Sequence, residues 1–218
     1  MIDVWLIPLE GCVAVNLSAE ERAQAARFVF ERDRVRFSIA HTALRDILSR
    51  YTGEDASAIV IHTAEKGKPY LADHPEIRFN LSHSGCWAMV AVTRGREVGV
   101  DIECIRADRS SEDIAKRFFA PAEVRALNGT PEHSRVQAFF ACWSRKEAYI
   151  KARGEGLGIP LDSFEVSLGE DGVLCHAEDL ERWSMCSLRA PKGYAAALVA
   201  EGSGWQVRQL EWTGSPET

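Results

Sequence analysis

RVRFSIAHTALRDILSRYTGE, residues 34–54, and RVQAFFACWSRKEAYIKARGE, residues 135–155, decide how this chain is built. At an offset of 101 positions Arg34-Val35 stands against Arg135-Val136, Ala40 against Ala141, Asp46 against Glu147, Arg50 against Lys151, and Gly53-Glu54 against Gly154-Glu155. Both stretches read as helices that stop at a glycine. Strand-like runs follow each, and an offset of 107 pairs Trp87-Ala88 with Tyr194-Ala195 and Gly95 with Gly202. A helix then strands, met twice, is the mark of a duplicated unit. We therefore expect an α+β fold of two similar lobes in pseudo-twofold arrangement, residues 1–104 and 105–218. A ligand site is expected at the lobe interface, where such sites often lie.

Outward from these helices the pattern predicts a strand over Asp3 to Pro8 and a helical region from Ser18 that ends near Thr52-Gly53. Ser18 and Glu21 fit an N-terminal capping box. Strands are predicted at Ile59 to His62, Ile77 to Leu81, Cys86 to Thr93 and Val98 to Ile102. A helix around Ile114 to Phe119 precedes Pro121, and the long helix spans about Ser134 to Ala152. Strands return near Phe164 to Leu168, Ser184 to Leu188, Tyr194 to Ala200 and Gln206 to Trp212.

The chain has 218 residues, 46% hydrophobic and 27% charged. That is ordinary globular composition, long enough to bury a core without staples. The longest apolar runs are seven residues, Cys86 to Val92 and Tyr194 to Ala200. Neither approaches the ~20 residues a membrane span requires. The first residues, MIDVWLIPLE, carry no basic segment and meet Pro8 too early for a signal peptide, so a cytoplasmic protein is expected. A net charge of -6 argues against nucleic acid as partner. One basic segment stands out, with seven arginines against three acids between Arg22 and Arg50. Six cysteines, at 12, 86, 104, 142, 175 and 186, show no CxxC spacing and read as reduced.

Val98 to Glu103, VGVDIE, places Val98, Val100 and Ile102 on one face of a strand and Gly99, Asp101 and Glu103 on the other. Two carboxylates on one face repel unless a positive charge lies between them. An edge strand with its acids in water is the plain alternative. On the long helix, Glu147 falls on the apolar stripe of Val136, Phe140, Trp143 and Ile150, with Lys151 one turn on. A simple Glu147–Lys151 surface pair is again an alternative. Three acids on converging apolar elements suit a hard divalent cation such as Mg²⁺, and the absence of His or Cys disfavours zinc. KGKPY, residues 66–70, would set Lys68 in a rigid turn, with a solvated lysine loop as the plain alternative. FNLSHSG, residues 79–85, ends a strand in Ser82, His83, Ser84 and Gly85, a donor-rich turn suited to an anion. Ser82 and His83 are adjacent on a strand, so they point apart and do not form a nucleophile–base pair.

These strings together resemble the phosphopantetheinyl transferases of the Sfp (surfactin-synthetase-activating) type. The matches are GKP at 67–69, FNLSHSG at 79–85, GVDIE at 99–103, AKRFF at 115–119 and WSRKEAYIKARGEGL at 143–157. The last follows the family pattern W-x-x-KEA-x-x-K-x-x-G-x-GL throughout. The likeness spans roughly residues 3–212. It implies the 4'-phosphopantetheinyl transferase-like fold and transfer of the phosphopantetheine arm of coenzyme A to a serine of an apo acyl or peptidyl carrier protein. Adenosine 3',5'-bisphosphate would be released. By position, Asp101, Glu103 and Glu147 match Mg²⁺-binding acids, and Lys151 a phosphate-contacting lysine. Lys68, Ser82 and His83 match coenzyme A contacts, and Arg36 falls where a basic helix residue approaches the nucleotide. Glu21 and Gln24 stand where the family carries further basic contacts, with Arg22 or Arg27 as substitutes.

The expected mechanism uses Glu147 as base and Lys151 to stabilise the transferred phosphate, in a monomer that builds its site between its own halves. Phe118, Phe119, Arg117 and Arg125 are considered as a carrier-docking surface. A Mg²⁺-dependent phosphohydrolase acting on a nucleotide is the alternative, and a non-catalytic nucleotide-binding module a third.

Overall fold

The computed structural model describes residues 1–110, 112–169 and 171–214. Strand β1 (Ile2–Pro8) opens the chain and helices α1 (Ala19–Ala25) and α2 (Glu31–Thr52) follow. The short strands β2 (His62–Thr63) and β3 (Pro69–Tyr70) pair with each other, ahead of β4 (Ile77–Ser84), β5 (Trp87–Arg94) and β6 (Val98–Cys104). Then come α3 (Glu112–Phe118), α4 (Pro121–Gly129) and α5 (Glu132–Arg153). The tail adds β7 (Glu165–Val166), β8 (Leu174–His176), β9 (Trp183–Ser187), β10 (Tyr194–Glu201) and β11 (Val207–Glu211).

Both sequence offsets return as element boundaries. Helices α2 and α5 each have 22 residues and start 101 positions apart. Each ends at a glycine with positive φ, Gly53 at 79° and Gly154 at 67°. Strands β5 and β10 have eight residues each and start 107 positions apart.

Two sheets carry the fold, one in the order β11-β1-β5-β4 and the other β6-β10-β9. Alternation along the strands dictates the layering. Trp5, Ile7, Ala88, Val90 and Val92 face α2, joined by Ile39, Leu44, Ile47 and Leu48. Ile2, Val4, Met89 and Ala91 face the other way and meet Val98, Val100, Ile102 and Leu198 of the second sheet. Ala197 and Val199, on the far side of β10, pack on Phe140, Ala148 and Ala152 of α5. The result is helix, sheet, sheet, helix. The strands exchange across it: β6 pairs with β10, and β11 returns to lie parallel to β1. Arg208 fastens that return with two bonds to Asp3, each 2.8 Å, and Tyr51 donates to the same carboxylate at 2.6 Å.

Four local expectations need correction. The helical region from Ser18 breaks after Ala25, because α1 folds back on α2. Its capping-box Glu21 bonds Arg45 at 2.6 Å and His41 at 3.0 Å, and a continuous helix would prevent this. The run Ile59 to His62 is strand only at His62. Arg45 takes the Ala56 and Ile59 carbonyls at 3.1 and 2.8 Å, so that backbone is satisfied by a guanidinium instead of a sheet. Phe164 to Leu168 shrinks to β7, paired with a strand at Leu174–His176 that periodicity missed. Helix α4 was also missed: Pro121 sits in its first turn, where its missing N–H costs nothing. Among the described residues no helix is long and apolar enough to cross a membrane.

Candidate active site

The site begins at Gly99. A Cβ there would lie 2.2 Å from the Ala148 carbonyl oxygen and 2.3 Å from the Ala152 nitrogen. Only glycine lets β6 approach α5 this closely. Because Val98, Val100 and Ile102 fill the space between the sheets, the opposite face of β6 presents Asp101 and Glu103 toward α5. The acidic face is therefore buried against a helix, not a solvated edge, and Asp101 is only 2% exposed.

Strands β4 and β6 border each other at the seam of the two sheets, and side chains replace the backbone ladder there. Asn80 accepts from the Val100 N–H at 2.9 Å, Ser82 from Ile102 at 3.4 Å and Ser84 from Cys104 at 3.1 Å. The two serines also donate, Ser82 to Asp101 Oδ1 at 2.8 Å and Ser84 to Glu103 at 2.9 Å. One row of polar side chains thus satisfies the free edge of β6 and aims its acids. From α5, Lys151 Nζ reaches Asp101 Oδ1 at 2.6 Å and Ser82 Oγ at 2.8 Å. Glu147, one turn earlier, has no hydrogen-bond or ion-pair partner among the described residues. It lines a cleft of about 330 Å³ with Lys66, Lys68, Leu81 and Lys151.

The electrostatics follow from burial and crowding. Desolvation, then repulsion from Asp101, pushes the Glu103 carboxyl up to about 7, against the lowering effect of Ser84. Desolvation and Asp101 raise Glu147 as well, opposed by Lys151. Desolvation lowers the Lys68 pKa, although Glu97 opposes it.

Six of the residues predicted from sequence come together on the two sides of this seam. Asp101, Ser82 and Lys151 form one bonded cluster, Glu103 hangs from Ser84, and Glu147 and Lys68 line the cleft. Lys68 is already engaged, with Nζ at 2.6 Å from Glu97 and 2.8 Å from the Ala152 carbonyl at the end of α5. Gly154 makes room for it, since a Cβ there would meet Lys68 Cδ at 2.8 Å. His83 points to the opposite face from Ser82, as expected for neighbours on a strand. It is surface-exposed; the surrounding chain and then the Lys151 charge lower its pKa. Arg36 is held elsewhere, by Glu10 at 2.6 Å and Cys86 Sγ at 3.1 Å. Glu21 serves the fold: hydrogen bonds from His41, the Ser18 backbone and Arg45 drive its carboxyl down to about 2 despite burial. Phe119 is core, 2% exposed, and Phe118 packs edge-on against Trp143, which removes most of the apolar docking surface considered there.

Sequence reading missed Asn80 and Glu97, and it took Ser84 as an anion donor in a turn, whereas Ser84 lies in β4 and holds Glu103. Asn80 and this role of Ser84 were signalled by Asn80-x-Ser82-x-Ser84, polar residues at period two on a strand whose other face is apolar. Glu97 carried no signal, because its partner Lys68 is 29 residues away.

The donor set suits a hard cation. Among the described residues no three His, Cys, Asp or Glu side chains already converge as a metal cage. Yet Asp101 Oδ2 is buried without a hydrogen-bond partner. One lysine also faces three carboxylates whose mutual repulsion shows in the raised Glu103 and Glu147. A divalent cation answers both imbalances.

Two family descriptions match the chain: "4'-phosphopantetheinyl transferase, N-terminal" over residues 11–95 and "4'-phosphopantetheinyl transferase superfamily" over residues 97–199. Among named relatives, the chain is 35% identical over 216 residues to the 4'-phosphopantetheinyl transferase HetI of Nostoc sp., covering 95% of this chain and 90% of that one. It is 38% identical over 187 residues to the 4'-phosphopantetheinyl transferase Sfp of Bacillus subtilis, covering 84% of this chain and 82% of that one. A fold built around the GVDIE strand and the KEA-x-x-K helix, matched at this identity along nearly its whole length, places the chain in the 4'-phosphopantetheinyl transferase family.

Proposed function

We propose that this enzyme moves 4'-phosphopantetheine from coenzyme A to a serine of an apo acyl or peptidyl carrier protein, releasing adenosine 3',5'-bisphosphate. The buried cluster of Asp101, Ser82 and Lys151, bordered by Glu103 and Glu147, carries this reading. Asp101, Glu103 and Glu147 would hold Mg²⁺, which when bound supplies charge neutralisation for the pyrophosphate and Lewis acidity at the transferred phosphorus. Lys151, anchored on Asp101, presents its ammonium to charge developing on that phosphate. Glu147 accepts the proton of the attacking serine, and desolvation moves its pKa toward the range where a base works best. The serine Oγ–P bond forms as the P–O bond to the bisphosphate breaks. Lys68, in the cleft wall, and Ser82, His83 and Arg36 bind and orient coenzyme A.

The lobes in this reading are residues 1–104 and 105–218. Each lends a strand to the other's sheet, β6 to β10 and β11 to β1, and the site lies along the β4–β6 seam. The enzyme works as a monomer in the cytoplasm, without nucleic acid or membrane. Incubation with coenzyme A, Mg²⁺ and a panel of apo carriers tests the reading. A carrier that gains the mass of one phosphopantetheine arm supports it. Coenzyme A cleaved with no carrier modified would replace it with a phosphohydrolase.

A further inference from the structure

Most of the exposed large apolar side chains among the described residues lie in one segment. Of eleven large apolar side chains exposed among the described residues, six lie between Val13 and Val35. The peak is the α1–α2 connection, where Val29 is 89% and Phe30 66% exposed. Phe28 props this knuckle by packing on Phe37, with ring centroids 5.3 Å apart. Beside it runs a groove of about 480 Å³ lined by Val13, Leu17, Ala25, Ala26, Val35 and Ile39. Such a patch is costly to leave in water and marks a binding surface.

Its charge names the partner. From Arg22 to Arg36 there are five arginines and two acids, Glu31 and Asp33, in a chain of net charge -6. Arg32, Arg34 and Arg36 are paired with Asp33, Glu31 and Glu10, so the unneutralised positive charge here is that of Arg22 and Arg27, which have no ion-pair partner among the described residues. A second copy packed on a twofold axis would set this positive rim against itself, which is unfavourable. An acidic partner meets no such cost.

Its position names the purpose. Arg36, in the first two turns of α2, donates to Cys86 Sγ at 3.1 Å. Cys86 follows the Ser84-Gly85 turn, and Ser84 holds Glu103 at 2.9 Å. Six residues beyond the knuckle, α2 is thus tied to the strand end that holds Glu103.

We propose that the Phe28–Phe30 knuckle, its groove and its arginine rim form the docking surface for the acceptor carrier protein. The carrier would offer an apolar side chain flanked by acidic ones near its serine. The inference rests on the transferase reading and adds where the acceptor sits. Val29→Ser/Phe30→Ser and, separately, Arg32→Glu are the test variants, because these side chains are exposed and lie outside the proposed chemistry. Expected is a fall of about tenfold or more in kcat/KM for the carrier. The coenzyme A dissociation constant, measured calorimetrically, should stay within about twofold and the melting temperature should stay unchanged. Raised salt should weaken the parent and shrink its advantage over Arg32→Glu. Parental kcat/KM in both variants would overturn the docking surface and leave the transferase reading intact. So would a parent dimer that Val29→Ser/Phe30→Ser converts to monomer, or an equal loss of coenzyme A affinity. A parent that modifies no carrier would overturn both.

Discussion

Gly99→Ala is the most direct probe of how the site is held. The added methyl would stand 2.2 Å from the Ala148 carbonyl oxygen, 2.3 Å from the Ala152 nitrogen and 2.8 Å from the Ala152 Cα. Non-bonded atoms settle near ~3.5 Å, so α5 must retreat from β6 by about 1 Å. All three obstacles are backbone, and no side-chain rotation relieves them. Overpacking of this kind costs about 1–3 kcal/mol, which in a chain of this size lowers Tm by about 2–12 °C. The catalytic loss should exceed what the stability loss implies. The 2.6 Å bond from Lys151 to Asp101 spans the same interface, and Glu147 rides on the displaced helix. A displacement of about 1 Å at reacting groups costs on the order of a hundredfold in rate. Scanning calorimetry measures the first effect. Mass gain on an apo carrier at 25 °C, well below the melt, measures the second. A Gly99→Ala protein that melts within about 1 °C of the parent and turns over at the parental rate would refute the idea that close β6–α5 approach sets the site.

Other consequences are equally measurable. Glu147→Gln should abolish carrier modification with the fold intact, whereas Lys68→Ala should raise KM for coenzyme A with a smaller change in kcat. Near-normal turnover by Glu147→Gln would remove it from the chemistry. Lys146 is fully buried, bonded to Glu123 at 2.8 Å and to the Leu161 and Phe164 carbonyls at 2.7 Å. Lys146→Met strands the Glu123 charge and should cost about 3–5 kcal/mol in denaturant titration. Glu103 should make the metal-free protein lose stability as pH rises. Its folded pKa, about 7, exceeds the ordinary 4.5, so the folded state binds more protons between those values. Stability should fall across that window, and Glu103→Gln should flatten the slope. Mg²⁺ binding, followed by calorimetry, should tighten over the same window, because its ligands must be deprotonated.

Residues that repeat at fixed spacing are legible in the sequence alone. The paired helices follow from the offset of 101 positions, and the split of β6 into apolar and acidic faces and the Glu147–Lys151 turn of α5 from periods of two and 3.6. Partners far apart in sequence were not legible. Arg45 dissolves the predicted strand at Ile59 because its guanidinium takes the carbonyls, and no local pattern announces that. The same holds for Lys68 and Glu97. Family likeness located Ser82, but only the seam between the sheets explains why Asn80 and Ser84 flank it. Arg36 was placed by position alone, and position does not show that Glu10 and Cys86 hold it.

The return of β11 to β1 has a consequence for how the molecule comes into being. Asp3 and Arg208 are 205 residues apart, yet they lock neighbouring strands of one sheet. During synthesis the first strand emerges long before its outer neighbour exists. Until that neighbour arrives, β1 is an unpaired edge, open to pairing with the wrong chain. Closing β11 onto β1 is a long-range pairing, the kind that is slow. A C-terminal truncation after Gln206, which removes β11, should therefore harm yield and solubility in the cell, even though it touches no residue of the reacting centre.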